Sequence, residues 1–231
     1  MQFFCKESKN SQRIVEAFKR FSDERAVIFM AGPEGSEFEL LQREYLATNP
    51  TDIDRVFQLE PEAISDVHRE ALLKLDPDLQ NANGISITVR GSLSDSVEQE
   101  LIAFADEPPF PGAKIWICLP GYEVGSASTL SEDLQAKANH NLFVIPPLKN
   151  RHSDIAWFAA QELKDFRKEP MPASPFSDEA IDLLMSYEWP GNYQELKQVM
   201  RVLALKIVPN GEISGDQMEE VIGLARTSPI E

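Results

Sequence analysis

Short apolar segments alternate with amphipathic segments along the first two-thirds of the chain. The apolar segments have the length of strands and are Ala26 to Ala31, Arg55 to Leu59, Ile85 to Arg90, Lys114 to Leu119 and Leu142 to Ile145. The amphipathic segments space apolar side chains three or four residues apart, and they contain Phe38, Leu41 and Tyr45, then Ile64, Val67, Ala71 and Leu75, then Val97, Leu101 and Phe104. This alternation predicts a parallel sheet with helices on both faces.

The last third of the chain has a helical pattern throughout. Three prolines fall within residues 167–176, just after a helix-spaced apolar segment, and mark the expected junction. We therefore predict an α/β core over residues 1–170 and a helical subdomain over residues 171–231. Ser177 is a predicted helix N-cap, and the pairs Asn192/Glu195 and Ser214/Gln217 have the spacing of capping boxes.

Charge and composition narrow the function classes. The 231 residues are 42% hydrophobic, enough for a core, and 22 basic against 38 acidic residues give a net charge of -16, which disfavours nucleic-acid binding without a basic patch. No apolar segment approaches the roughly 20 residues of a membrane-spanning helix. Two distant cysteines and three scattered histidines predict no metal site and a reducing, cytoplasmic location.

Two segments carry a specific resemblance. They are VIPPLKNRHSDIA, residues 144–156, and FSDEAIDLLMSYEWPGNYQELKQV, residues 176–199. They closely resemble the end of the AAA+ core and the lid of bacterial enhancer-binding proteins, the activators of the sigma-54 form of RNA polymerase. The resemblance implies a three-layer αβα core with a five-stranded parallel sheet, followed by a small α-helical lid, and extends more weakly from about Ser11 to Leu224.

The phosphate loop expected after the first strand lacks its chemistry. Such a loop needs glycines, a lysine on the phosphates and a hydroxyl for magnesium. Gly32 and Gly35 remain, but Phe38 stands at the lysine position and Glu39 at the hydroxyl position. Glu34, Glu37 and Glu39 add negative charge that we expect to repel a triphosphate.

The other catalytic positions implied by the resemblance are replaced as well. Val89 and Arg90 stand where the family has the acidic residues that hold magnesium. Ser131 and Lys137 stand at the arginine-finger positions, Gln194 at the arginine of the lid, and Pro120 at the polar sensor. We therefore expect no catalytic residue, cofactor or metal, although these positions could retain a vestigial role.

These replacements favour a pseudo-ATPase. The leading hypothesis is a regulatory or adaptor protein that contacts a protein partner, either an intact AAA+ activator or itself, with no direct DNA or membrane binding. Residues 60–84 lack the sigma-contacting loop of the family and predict an ordinary amphipathic helix. The alternative is a nucleotide sensor that binds ATP or ADP without hydrolysis through Gly32, Gly35, Arg90 and Lys137; an unrelated enzyme has little support from the three histidines.

Overall fold

The computed structural model describes residues 4–5, 8–48, 56–64, 83–108, 113–167, 175–206 and 212–227. These residues cluster into two compact units. The first contains Arg13–Gly32 and Phe38–Ile145, and the second contains Phe4–Gln12, Pro33–Glu37 and Pro146–Glu231. The boundary predicted between residues 170 and 171 lies outside the described residues and stays a prediction.

The first unit is built on a five-stranded parallel sheet, as predicted. Its strands, in spatial order β2-β3-β4-β1-β5, are β1 Val27–Gly32, β2 Val56–Leu59, β3 Gly84–Thr88, β4 Lys114–Pro120 and β5 Leu142–Val144. All six residues of β1 are buried, a pattern typical of a parallel strand covered on both faces. All neighbouring strands of the sheet pair in parallel, as the alternation of apolar and amphipathic segments predicts.

Helices cover both faces of this sheet. They are α1 Lys9–Asp23, α2 Phe38–Thr48, α3 Asp95–Asp106 and α4 Glu132–His140, with a short 3-10 helix at Pro61–Ile64. Leu101 of α3 and Leu134 of α4 share one core cluster with alternate strand residues such as Phe29. On the opposite face, Tyr45 of α2 makes an edge contact with Trp116 of β4. The predicted helix with Val67, Ala71 and Leu75 lies outside the described residues.

The second unit is helical. Its helices are α5 His152–Arg167, α6 Asp178–Ser186, α7 Asn192–Lys206 and α8 Gly215–Thr227, with a 3-10 helix at Leu148–Asn150. Two predicted caps are confirmed: the Ala180 amide donates to the Ser177 hydroxyl, and Ser214 and Gln217 exchange side-chain and backbone hydrogen bonds. Among the described residues no helix is both long and apolar enough to cross a membrane.

Candidate functional site

The segment from β1 to α2 keeps the strand, turn and helix of a phosphate loop. β1 ends at Gly32, α2 begins at Phe38, and the intervening residues Pro33–Glu37 belong to the second unit. We call these five residues the β1–α2 loop. In the phosphate-loop pattern, a glycine, four further residues, a second glycine and a lysine follow one another. Here Glu37 occupies the second glycine position and a half-buried Phe38 occupies the lysine position.

Glu37 forms a buried ion pair inside the second unit. Its carboxylate contacts the Arg151 guanidinium, and the two side chains are only 2% and 1% exposed. The Arg151 Nε donates to the Asp154 Oδ2 at 2.8 Å, and the Ser11 hydroxyl donates to the other oxygen of Asp154 at 2.8 Å. The guanidinium also lies 5.6 Å from the centre of the Phe158 ring. Glu37 is therefore not the free negative charge that the sequence suggested, and Glu39 is likewise paired, with Arg43 in its own helix.

Two opposing effects act on the Arg151 guanidinium. Burial alone lowers the pKa of this group, because the charged form loses its hydration. The neighbouring carboxylates of Glu37 and Asp154 favour the charged form more strongly, so the pKa of Arg151 is raised. Arg151 is consequently a permanent cation whose partners belong to the protein itself.

Backbone contacts attach the same loop to the start of α7. The Gln194 amide donates to the Gly35 carbonyl at 3.0 Å, and the Asn192 side-chain amide donates to the Glu34 carbonyl at 2.9 Å. Gly35 has a φ of +76°, and a Cβ built on it would lie 2.1 Å from the Gly191 carbonyl oxygen. The loop therefore meets the turn before α7 backbone to backbone.

The turn before α7 differs from its prediction. Asn192 was expected to cap α7 by accepting from Glu195, but its Oδ1 accepts from the Leu148 amide at 3.0 Å, so this prediction is wrong. Asn192 has a φ of 47°, and Trp189, which is buried, has a φ of 48°. Glu195 still reaches back, accepting from the Gly191 amide at 2.8 Å. Tertiary contacts have replaced the local cap.

The positions of the missing magnesium acids lie at the end of β3, in the first unit. Val89 is buried, and its amide donates to the Cys118 carbonyl at 2.9 Å. The side chain of Arg90 is exposed. Pro120, at the sensor position, pairs in register with Gly32 of β1. The carboxyl ends of β1, β3 and β4 thus align, with no carboxylate at the two acid positions. Within the described part of the chain no cluster of three metal-ligating side chains occurs.

The two predicted finger positions lie on α4 and contact α3. Ser131 is the N-cap of α4, its hydroxyl accepts from the Leu134 amide at 3.3 Å, and its own amide donates to the buried Glu98 carboxylate at 2.9 Å. Lys137 pairs with Asp106. Gln194 lies in the second unit with an exposed side chain.

Sequence reasoning missed the roles of Arg151, Asp154 and Gly191. Arg151 and Asp154 are three residues apart at a helix start, a spacing that is equally common on solvated surfaces. Nothing local in the sequence distinguishes a buried pair from an exposed one. The distant partner Glu37, which is 114 positions away, supplies a second carboxylate to the buried Arg151 and cannot be inferred from local spacing.

Part of the second unit is similar to known proteins. Residues 149–228 match the AAA+ ATPase lid domain family. The alginate biosynthesis transcriptional regulatory protein AlgB of Pseudomonas putida is 42% identical over 79 residues, covering 34% of this chain and 18% of that protein. The DNA-binding transcriptional regulator NtrC of Rhizobium meliloti is 32% identical over 101 residues, covering 43% of this chain and 21% of that protein. The matched segments thus span about a fifth of these relatives.

Solved structures show the fold of the chain. NtrX from Brucella abortus, solved in complex with ATP, aligns with a TM-score of 0.67 and 15% identity, covering 99% of this chain and 59% of NtrX. Domain III of the replication initiation protein DnaA from Thermotoga maritima aligns with a TM-score of 0.59 and 14% identity, covering 93% of this chain and 92% of that domain. These alignments confirm the predicted fold, and the sequence matches show that part of the chain is similar to bacterial transcriptional regulators, in agreement with the predicted resemblance.

Proposed function

We propose that this protein is a non-catalytic AAA+-like regulator acting through contacts with another protein, since residues 149–228 match the AAA+ ATPase lid domain family and the chain has the AAA+ fold. The observation that carries the proposal is the β1–α2 loop. Its second glycine position holds the buried Glu37, and its lysine position holds Phe38. The loop lies between a strand and a helix, as a phosphate site does, but carries an acid and a phenyl ring at the positions of its glycine and lysine.

The loss of the lysine weakens any hold on a triphosphate. A charged hydrogen bond contributes about 1.5–3 kcal/mol, and a phenyl ring offers no donor in its place. The cation that does lie beside the loop, Arg151, is already paired with Glu37 and Asp154. A nucleotide phosphate would have to displace a buried carboxylate to reach it, which argues against tight binding.

Hydrolysis also needs carboxylates that hold magnesium and orient water. A buried aliphatic side chain, Val89, and a cation, Arg90, stand at those positions. At the finger positions, Ser131 serves as a helix cap and the charge of Lys137 is paired with Asp106. Each arginine finger can contribute about a thousandfold or more in rate, so their replacement supports an inactive ATPase.

A nucleotide sensor is the second candidate. The observation in its favour is the exposed guanidinium of Arg90 at the carboxyl end of β3, the side of a parallel sheet where ligands bind. This candidate predicts saturable binding of ATP or ADP that the Arg90→Ala exchange weakens. The regulator proposal predicts no such binding.

The proposed partner is an intact AAA+ activator or a second copy of this chain, in the cytoplasm and without direct contact to DNA. The net charge of -16 favours a partner with a basic surface over a second copy of this equally acidic chain. Sedimentation velocity tests the idea, with the chain measured alone over a range of concentrations and then mixed with intact AAA+ activators from its source organism. We expect a faster-sedimenting species in at least one case, together with a changed ATPase rate of any activator bound. A strictly monomeric chain that leaves every activator unchanged contradicts the proposal.

A further inference from the structure

The buried pair of Glu37 and Arg151 does more than neutralise charge. We infer that it is a lock that keeps the β1–α2 loop docked in the second unit without any nucleotide. Arg151 is oriented independently of the loop, because its Nε donates to Asp154 and Asp154 in turn accepts from Ser11. The loop then supplies the second carboxylate through Glu37.

Burial makes the lock an all-or-none device. Both side chains of the pair are almost fully shielded from water. A buried charge that loses its partner is strongly destabilised, since solvent cannot replace the lost interaction. Partial undocking of the loop therefore leaves Arg151 poorly satisfied, especially as its Nη2 has no hydrogen-bond partner among the described residues.

The docked loop also completes the start of α7. The first amides of a helix have no partner within the helix and carry partial positive charge. One of them, the Gln194 amide, donates to the Gly35 carbonyl, while the Asn192 side chain holds the Glu34 carbonyl. A nucleotide-binding loop turns its amides toward phosphates. This loop instead turns carbonyls toward α7 and a carboxylate toward Arg151, so these groups bind other parts of the protein.

The lock couples two segments that are far apart in sequence, the β1–α2 loop and the first turn of α7. Opening of the loop must release the Gln194 amide at the same time. The pair thereby holds the β1–α2 loop in one state. The lock operates in the isolated chain and requires no partner.

Hydrogen exchange on the Glu37→Gln variant, read by mass spectrometry without nucleotide, tests the lock. The Glu37→Gln substitution keeps the size of the side chain and removes its charge. We expect peptides covering residues 33–38 and 192–196 to exchange at least about tenfold faster than in the wild type, whereas residues 178–186 in α6 stay unchanged. The matched control is Lys149→Met, which breaks the exposed pair with Glu188 in the same unit and should leave both segments as they were.

Two results would overturn the lock. One is a hydrogen-exchange rate in both segments of the Glu37→Gln variant that equals the wild-type rate. The other is acceleration of the loop alone, which would show that the loop and α7 are not coupled. Should the variant fail to fold, the wild type itself decides the question, because a lock predicts equal protection of residues 33–38 and 192–196 at every urea concentration, and unequal protection of the two segments contradicts it. Neither readout uses a partner or an ATPase assay, so failure of the lock and failure of the proposed function are distinguishable.

Discussion

Replacing Gly35 by alanine adds one methyl group where two backbone segments touch. Two costs follow from the geometry. The φ of +76° is a left-handed conformation that costs a non-glycine residue roughly 1–2 kcal/mol. The new Cβ would also lie 2.1 Å from the Gly191 carbonyl oxygen, so one segment has to move by more than an ångström. That movement sacrifices the hydrogen bond from the Gln194 amide, worth about 0.5–1.5 kcal/mol. We expect a total destabilisation of about 1.5–3.5 kcal/mol.

Gly125→Ala provides the matched control for this exchange. Gly125 has a similar φ of +83°, but a Cβ at this position meets nothing within 4 Å. The loss of stability in the Gly125→Ala variant should therefore be limited to the conformational cost of about 1–2 kcal/mol. Urea unfolding followed by tryptophan fluorescence and circular dichroism measures both variants. Equal destabilisation by the two exchanges would refute the contact between the β1–α2 loop and the turn before α7.

Two further predictions concern the position of the missing phosphate-binding lysine and a buried thiol. Restoring the pattern with Phe38→Lys and Glu39→Thr should leave ATP hydrolysis undetectable in a phosphate-release assay, since Val89 and Arg90 still replace the magnesium acids; measurable turnover would contradict this. Burial raises the pKa of the Cys118 thiol to about 12 from 9.0, so in a Cys5→Ser background iodoacetamide at pH 8 should label it only after unfolding in urea. Rapid labelling of the native protein would contradict this expectation. Because the fold favours the neutral thiol, the contribution of this group to stability is fully present below pH 9 and is lost as the pH rises toward about 12.

The sheet was predictable because its signal is local. A fully apolar strand such as β1, followed by glycine and an amphipathic helix, specifies a buried parallel strand wherever it occurs. Strand limits differ from the predictions by at most two residues; β3, for example, ends at Thr88 rather than at Arg90, whereas β4 begins at Lys114 as predicted. Spacing along the chain fixes the type of element, whereas hydrogen bonds to neighbouring strands fix its limits.

The contacts of the β1–α2 loop were not predictable, because they join distant segments. The sequence identified the replaced lysine at Phe38 and the surplus acid at Glu37, yet it gave no sign that Arg151 neutralises that acid. Asn192 shows the same limit, since its capping spacing suggested a local bond and the fold assigned it to Leu148 and Glu34. A local motif states what a side chain is able to do, and the tertiary structure decides among its options.

Calorimetric titration with ATP and Mg²⁺ tests most directly whether this chain has lost the nucleotide binding of its fold. Millimolar ATP and ADP should each be titrated into the purified chain, with NtrX from Brucella abortus, which has been solved with both nucleotides, as the positive control. We predict saturable heat for NtrX and none above dilution for this chain. Saturable binding to the wild-type chain, lost on the Arg90→Ala exchange, would contradict the claim and establish a nucleotide sensor instead.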